Sequence, residues 1–242
     1  MIASVRTAVC LPTYNERENL EPMLRALGPR LGPGDRVLVI DDASPDGTGK
    51  LADRLARELD YVEVLHRPHK EGLGPAYVAG FRRALDEDAE LVLEMDCDFS
   101  HDPADVSRLV AAAADADLVI GSRYVDGGAV ENWGRLRRAV SAGGSLYARA
   151  LLGVGIRDLT GGFKCYRRAV LESIGLDRIS SKGYAFQIET TYRALRAGFR
   201  IVEIPITFAD REAGTSKMSR AIVAEAIVKV PALRAASWLG RL

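Results

Sequence analysis

Short apolar runs alternate along the chain with longer stretches whose leucines recur at helical spacing. Val5–Leu11 reads as a strand and Asn19–Leu27 as a helix, with Asn15 and Glu18 spaced as a capping box at its start. Arg36–Asp41 is a second strand, rich in Val and Ile, and Thr48–Leu59 a helix with Leu51, Leu55 and Leu59 on one face. Val62–Arg67, Pro75–Leu85 and Leu91–Asp96 repeat strand, helix, strand. Asp102-Pro103-Ala104-Asp105 has the form of an N-cap, a proline at the first helical position and an acidic first turn. The helix it starts is expected to end near Ala114, before a fifth strand at Asp117–Gly121.

Strands and helices alternating at this spacing predict an α/β fold: a mostly parallel central sheet with helices on both faces, Rossmann-like in its winding. In such sheets ligands bind outside the carboxyl ends of the strands. The polar clusters sit there: Asn15-Glu16 after the first strand, Asp41-Asp42 at the end of the second, Asp96-Cys97-Asp98 at the end of the fourth. The second half is less regular. A glycine-containing loop spans Tyr124–Gly134, helices are expected at Leu136–Leu152 and Tyr184–Ala197, a turn at Asp158–Gly162 and a strand at Ile201–Phe208. The stretch Ser216–Leu242 reads as a helix broken at Pro231. No repeat or linker interrupts the chain, so it is expected to be one domain, with its main body over residues 1–215. Residues 216–242 form a helical tail that belongs to that domain or meets a membrane surface.

Composition narrows the classes. The chain has 242 residues, 48% hydrophobic and 27% charged, enough to bury a full core. Lys+Arg and Asp+Glu balance at 33 each, which argues against a nucleic-acid partner. Cys10, Cys97 and Cys165 form no CxxC and leave an odd count, the pattern of reduced cytosolic thiols. No apolar run reaches the roughly 18 residues of a spanning helix, and the first residues lack a secretory apolar core. There is no GxGxxG after the first strand and no GxxxxGK[ST] anywhere, so dinucleotide and P-loop readings fail.

The sharpest chemical signal is Asp96-x-Asp98 behind the run Leu91–Met95. Residues two apart on an extended segment share a side, so both carboxylates can face one site. Two hard oxygen ligands suit Mg²⁺ or Mn²⁺, which would bridge a diphosphate and neutralise charge on it as a leaving group. Ser44-Pro45-Asp46-Gly47 is turn chemistry before a capped helix. The adjacent carboxylates Asp41 and Asp42 need partners, and a nucleotide base or ribose offering donors would supply them, guanine or uracil alike. His66 and His69 lie in a loop with no zinc-site pattern around them. His101 reads as a packing or supporting residue, not a general base, and Cys97 is expected to point into the core. Gly72-Leu73-Gly74 reads as a turn leading into a helix. Late in the chain Arg211 and Lys217 flank a glycine-bearing loop that suits a clamp on phosphates.

These residues resemble a known family. Pro12-Thr13-Tyr14-Asn15-Glu16, Val39–Thr48 and Met95-Asp96-Cys97-Asp98-Phe99-Ser100-His101 closely resemble the polyprenol monophosphomannose synthases, or dolichol-phosphate mannosyltransferases, of glycosyltransferase family 2. The likeness continues through Gly121–Tyr124, Asp158–Phe163, Gly183-Tyr184-x-Phe186-Gln187-x-Glu189 and Asp210-Arg211…Gly214-x-Ser216-Lys217, in family order. It implies a GT-A fold that takes GDP-mannose and a divalent metal, Mg²⁺ or Mn²⁺. By motif position, Pro12, Tyr14, Glu16, Ile40 and Asp42 would hold the nucleotide. Asp96 and Asp98 would hold metal and diphosphate, with Cys97 in the same segment and Ser100 at the metal, where some relatives carry Gln. Arg211 and Lys217 would close over the sugar nucleotide. Arg123, with Arg138 and Ser141, would meet the acceptor phosphate, so Asp98, Arg123, Arg211 and Lys217 are the expected catalytic set.

The chemistry agrees with that assignment. A lipid monophosphate, with a second pKa of about 6, is largely dianionic near neutral pH and needs no general base. What remains is positioning and leaving-group stabilisation. The expectation is an inverting displacement that gives β-mannosyl phosphoryl polyprenol. Ser216–Leu242 carries Lys217, Arg220, Lys229, Arg234 and Arg241 against Glu225, with Ile222, Ile227, Val230, Leu233, Trp238 and Leu239 as apolar surface. Such a helix can lie on an anionic membrane, placing the protein peripherally on the cytoplasmic face, alone or beside a membrane-embedded partner protein. The nearest rival is the same transfer from UDP-glucose. An Asp-nucleophile phosphatase reading of Asp96-x-Asp98-x-Ser100 meets the wrong motif order, since its second acidic pair should follow and Asp41-Asp42 come before. A non-catalytic sugar-nucleotide-binding subunit is disfavoured because every charged motif residue is present, and a polymerising enzyme because QxxRW is absent.

Overall fold

The computed structural model describes residues 6–210, 220–240 and 242. Its strands are β1 (Thr7–Thr13), β2 (Arg36–Asp41), β3 (Val62–His66), β4 (Leu91–Glu94), β5 (Leu118–Ser122), β6 (Ala129–Val130), β7 (Lys164–Arg167), β8 (Ile201–Pro205) and β9 (Thr207–Phe208). Its helices are α1 (Arg17–Leu27), α2 (Thr48–Glu58), α3 (Leu73–Asp86), α4 (Asp105–Ala112), α5 (Arg135–Leu152), α6 (Arg168–Ser173), α7 (Tyr184–Arg196) and α8 (Arg220–Trp238). Seven strands form one sheet in the order β3-β2-β1-β4-β7-β5-β8, parallel except for β7, which runs antiparallel to both β4 and β5. β6 and β9 pair separately. The α/β expectation of a mostly parallel sheet covered on both faces holds.

Strand alternation divides the core. Along β1, Ala8 and Cys10 join the cluster under α3 and α7, while Val9 and Leu11 join the one under α1, α2 and α4. Helix α3 comes so close to the sheet that a Cβ on Gly80 would lie 2.4 Å from Cδ1 of Ile40, so any larger residue there would have to displace that side chain. The chain winds from β1 through β2 to β3 on one side, then crosses to β4 on the other. That reversal opens a crevice beyond the carboxyl ends of β1 and β4.

Several boundaries depart from the sequence reading. The capping box at Asn15 and Glu18 does not form. Glu16 is the N-cap of α1, Asn15 is left-handed at φ 56°, and its amide donates to Ser44 Oγ at 3.2 Å. The loop before α1 is thus tied to the turn before α2. The strand expected over Ile201–Phe208 breaks at Ile206, which is buried and donates its amide to Ser122 O. β7 carries no apolar run and was not expected. Helix α4 starts at Asp105, one turn after Asp102, whose carboxylate accepts the Ala104 amide at 2.8 Å.

Helix α8 does not break at Pro231. A proline in a helix cannot donate to the carbonyl four residues earlier. Here that carbonyl, Ile227 O, accepts the Tyr147 hydroxyl of α5 instead, at 3.0 Å. Val230 and Leu233 are buried against the domain, and Arg234 donates to Leu152 O at 2.9 Å. Among the described residues no helix is long and apolar enough to cross a membrane.

Candidate active site

The segment after β4 supplies the central carboxylates. Met95 donates its amide to Cys10 O at 3.2 Å, which holds the chain beside β1 until Asp96. The Asp98 carboxylate accepts both the amide (3.1 Å) and the hydroxyl (2.6 Å) of Ser100 through one oxygen, folding the segment back on itself with Phe99 left-handed at φ 60°. Asp98 and Ser100 are buried, and Asp96 is half-buried at the cleft wall. The Asp96 amide donates to Nδ1 of His101 at 3.1 Å, so the imidazole proton sits on Nε2. Burial lowers the His101 pKa to about 4, with Asp98 opposing and Arg123 assisting. A neutral ring stacked on Phe163 with its lone pair committed to Asp96 orients the turn and is no general base. Cys97 is buried in the core with Leu93 and Met95, so its side chain leaves the ligand-holding set.

Asp96, Asp98 and the Ser100 hydroxyl present hard oxygens from one short turn. Among the described residues no group of three or more His, Cys, Asp or Glu gathers as a metal cage. A cation here would complete its shell with water or phosphate oxygens, which fits Mg²⁺ or Mn²⁺ and not a closed zinc site.

The nucleotide-side residues converge on the same rim. Pro12 and Ile40 are register partners across β1 and β2, with Ile40 buried and Pro12 half-buried. Glu16 accepts Nδ2 of Asn19 at 2.9 Å and donates its amide to Thr48 Oγ1 at 3.1 Å. The Lys70 ammonium lies 3.5 Å over the ring of Tyr14. The Asp41-Asp42 pair does not act as one unit, because the two carboxylates take different partners. Asp42 pairs with Arg67 and takes the Gly72 amide at 3.5 Å, while Asp41 turns toward Ser44 and His66. The repulsion expected between them is relieved by separate protein partners. Arg67 was missed in the sequence because its role depends on a carboxylate 25 residues earlier.

Arg123 is buried in an ion pair with Asp158. Nε donates to Oδ2 at 2.8 Å and Nη2 to Oδ1 at 2.7 Å, and Nη2 also reaches Thr160 Oγ1 at 2.9 Å. Burial alone would raise the Asp158 carboxyl, but the guanidinium outweighs it and holds it below its usual value. The rings of Tyr124, Trp133 and Phe208 surround the guanidinium at 5.2–5.8 Å. Of the other acceptor-side residues, Ser141 accepts the Tyr124 hydroxyl at 2.8 Å, and Arg138 donates to Val130 O at 2.6 Å. Arg211, Lys217 and Ser216 lie outside the described residues.

One small cleft brings the carboxylate turn and the arginine together, with Asp96, Ser100, Arg123, Thr160, Tyr184 and Gln187 on its walls. It shares Trp133, Thr160 and Tyr184 with a second, apolar pocket of about 380 Å³ between α5, α7 and α8, lined by Val140, Tyr147, Ile188 and Ile227. A charged cleft therefore runs into a greasy one. The roles of Asp158, paired with Arg123, and of Gln187, on the cleft wall, come from the fold and not from local sequence.

Residues 8–175 match the family described as glycosyl transferase family 2. The chain is 53% identical over 227 residues to the polyprenol monophosphomannose synthase of Mycolicibacterium smegmatis, covering 93% of this chain and 85% of that protein. It is 51% identical over 237 residues to the undecaprenyl-phosphate mannosyltransferase of Micrococcus luteus, covering 98% and 97%. Its fold matches glucosyl-3-phosphoglycerate synthase from Mycobacterium tuberculosis, solved with Mn²⁺, uridine diphosphate and glucosyl-3-phosphoglycerate. The TM-score is 0.68 at 20% identity, over 99% of this chain and 80% of that one.

Proposed function

The chain belongs to glycosyl transferase family 2, and from that membership and its relatives we infer that it is a polyprenyl-phosphate mannosyltransferase. In finer terms, we propose transfer of mannose from GDP-mannose to a polyprenyl monophosphate with inversion at the anomeric carbon, giving β-mannosyl phosphoryl polyprenol. The observation that carries the reading is the junction of two cavities: Asp96 and Arg123 wall a charged cleft that shares Trp133, Thr160 and Tyr184 with an apolar pocket. An acceptor with an anionic head and an isoprenoid tail has both ends accommodated there.

The chain's own residues supply positioning and charge. A divalent cation held by Asp96, Asp98 and the Ser100 hydroxyl would offset charge on the departing nucleoside diphosphate. Ser100 fixes the Asp98 carboxylate and His101 fixes the Asp96 backbone before substrate arrives, so little reorganisation is left for the reaction. Asp158 and Thr160 hold the Arg123 guanidinium in one plane within an aromatic shell, where low polarity strengthens its pull on an acceptor phosphate. The dianionic acceptor needs no base, in keeping with His101 held neutral and committed. Arg211 and Lys217 complete the proposed clamp from sequence position.

The tail residues support a membrane surface as partner, on the cytoplasmic face. Helices α5 and α8 pack on each other and expose Val140, Leu146, Leu151, Ile227, Val228, Trp238 and Leu239. That apolar surface borders the greasy pocket and suits a lipid acceptor drawn from a bilayer. The test is donor choice and product stereochemistry. Purified protein with a short polyprenyl phosphate is expected to use GDP-mannose over UDP-glucose and to give the β-linked phosphate by NMR. An α-linked product, or preference for UDP-glucose, overturns the finer reading.

A further inference from the structure

Lys164 opens β7 with no exposed surface, registered between Glu94 of β4 and Ile120 of β5. Its ammonium donates to Gln187 O at 2.9 Å and to Gln187 Oε1 at 2.6 Å, and it lies 3.4 Å from Oε1 of the equally buried Glu94. Tyr166 also donates to Glu94, at 3.2 Å. Burying such an ion pair carries a large desolvation cost, and an apolar pair of similar volume is often no less stable. Stability alone is therefore a poor reason for the pair.

Its consequence is chemical. An ammonium only donates hydrogen bonds, so the atom of the Gln187 amide that faces it has to be the oxygen. The amide nitrogen is then turned from Lys164. A Cβ built on Gly162 would lie 3.3 Å from Gln187 Nε2 and 3.9 Å from His101 Cε1, which puts that nitrogen at the wall Gly162 and His101 form in the cleft. The amide nitrogen carries two protons, and from that wall it can donate into the cleft. Around it stand the carboxylate of Asp96 and the guanidinium of Arg123. A neutral donor between an acidic and a basic group suits a neutral oxygen better than a phosphate.

We propose that Gln187 is a substrate-contacting residue whose Nε2 donates a hydrogen bond to a hydroxyl of the transferred sugar, and that Lys164, with Glu94, is a positioning residue that fixes the amide in that orientation. This rests on the cleft being a sugar-nucleotide site. It adds a reader of the sugar distinct from the residues expected to hold nucleotide, metal and acceptor.

The test uses full-length protein, GDP-mannose and its monodeoxy analogues, each lacking one sugar hydroxyl. Wild type is expected to disfavour one analogue by roughly ten- to a hundredfold in kcat/KM, the worth of one buried hydrogen bond. Gln187→Met should fall by the same factor on the parent donor, lose discrimination at that hydroxyl alone, and still bind GDP as wild type does. Lys164→Met with Glu94→Gln should weaken the same discrimination, and adding Gln187→Met to that pair should cost less than it does in the wild-type background. Gln187→Glu, which keeps the oxygen facing Lys164 but removes the donor, repeats the test should the methionine variant fold poorly. Wild-type discrimination in both Gln187 variants, or uniform loss across all analogues, overturns the inference while leaving the mannosyltransferase reading intact. A wild-type chain that transfers no sugar overturns that reading and the inference with it.

Discussion

Glu225 of the C-terminal helix and Gly183, the N-cap of α7, are joined by a hydrogen bond of 3.1 Å from the Gly183 amide, while the other Glu225 oxygen accepts the Lys182 amide at 2.8 Å. A carboxylate there satisfies orphan amides and the positive end of the helix together. Lys182 in turn accepts the Gly74 amide at 2.9 Å, and a Cβ on Gly74 would lie 2.3 Å from Ser181 O. The tail helix, the helix bearing Tyr184 and Gln187, and the start of α3 therefore meet in one joint. Glu225→Ala is expected to lower stability by about 1 kcal/mol, roughly 2–4 °C in Tm for a chain of this size. Transfer to lipid acceptor should fall as well, measured at a temperature where the variant stays folded. An unchanged rate would mean that α8 does not set the cleft.

The Arg123–Asp158 pair gives the acid dependence. The Asp158 carboxyl sits below its ordinary value of 3.8, so its contribution is complete above about pH 4 and disappears as pH falls through the lower folded value. Asp158→Asn leaves a buried guanidinium without its counter-charge and should cost about 3–5 kcal/mol at neutral pH. Its stability should also vary less with pH below 4 than that of wild type. Urea unfolding at neutral and acid pH measures both, and parallel curves would contradict the account.

Tyr147 and Pro231 should be coupled. Tyr147→Phe removes the side-chain hydrogen bond to Ile227 O and is expected to cost about 1 kcal/mol. Pro231→Ala restores an amide to that carbonyl and should make the tyrosine change nearly neutral. Equal costs in the two backgrounds, read by thermal unfolding, would show that the hydroxyl does not replace the missing bond.

All three cysteines should be silent in the native protein. Cys10, Cys97 and Cys165 are buried, and burial pushes the Cys165 thiol up to about 12 and Cys10 higher still. A thiol reagent at neutral pH is expected to titrate none until denaturant is added. Prompt native reaction at Cys97 would mean that the Asp96–Ser100 turn opens readily.

The first five strands and four helices were legible because each carries its own apolar period, and Asp96-x-Asp98 stood out as a candidate because its spacing is local. β7 was not, since Lys164 becomes tolerable in a core only through Glu94, seventy residues earlier, and Gln187. Pro231 misled for a similar reason: the residue that compensates it, Tyr147, lies on another helix. Arg123 was found by motif, yet its lock on Asp158 depends on a loop that folds back from 35 residues away. Long-range polar pairing is what the sequence hides.

The most direct measurement is transfer of radiolabelled mannose from GDP-mannose into organic-extractable polyprenyl phosphate, with Mg²⁺ or Mn²⁺, by wild type and by Asp98→Ala. The account predicts label in the lipid phase with wild type, abolished by chelator and reduced at least a hundredfold in the variant. Undiminished transfer by Asp98→Ala, or transfer indifferent to chelator, would contradict the placement of the reaction at the Asp96–Ser100 turn.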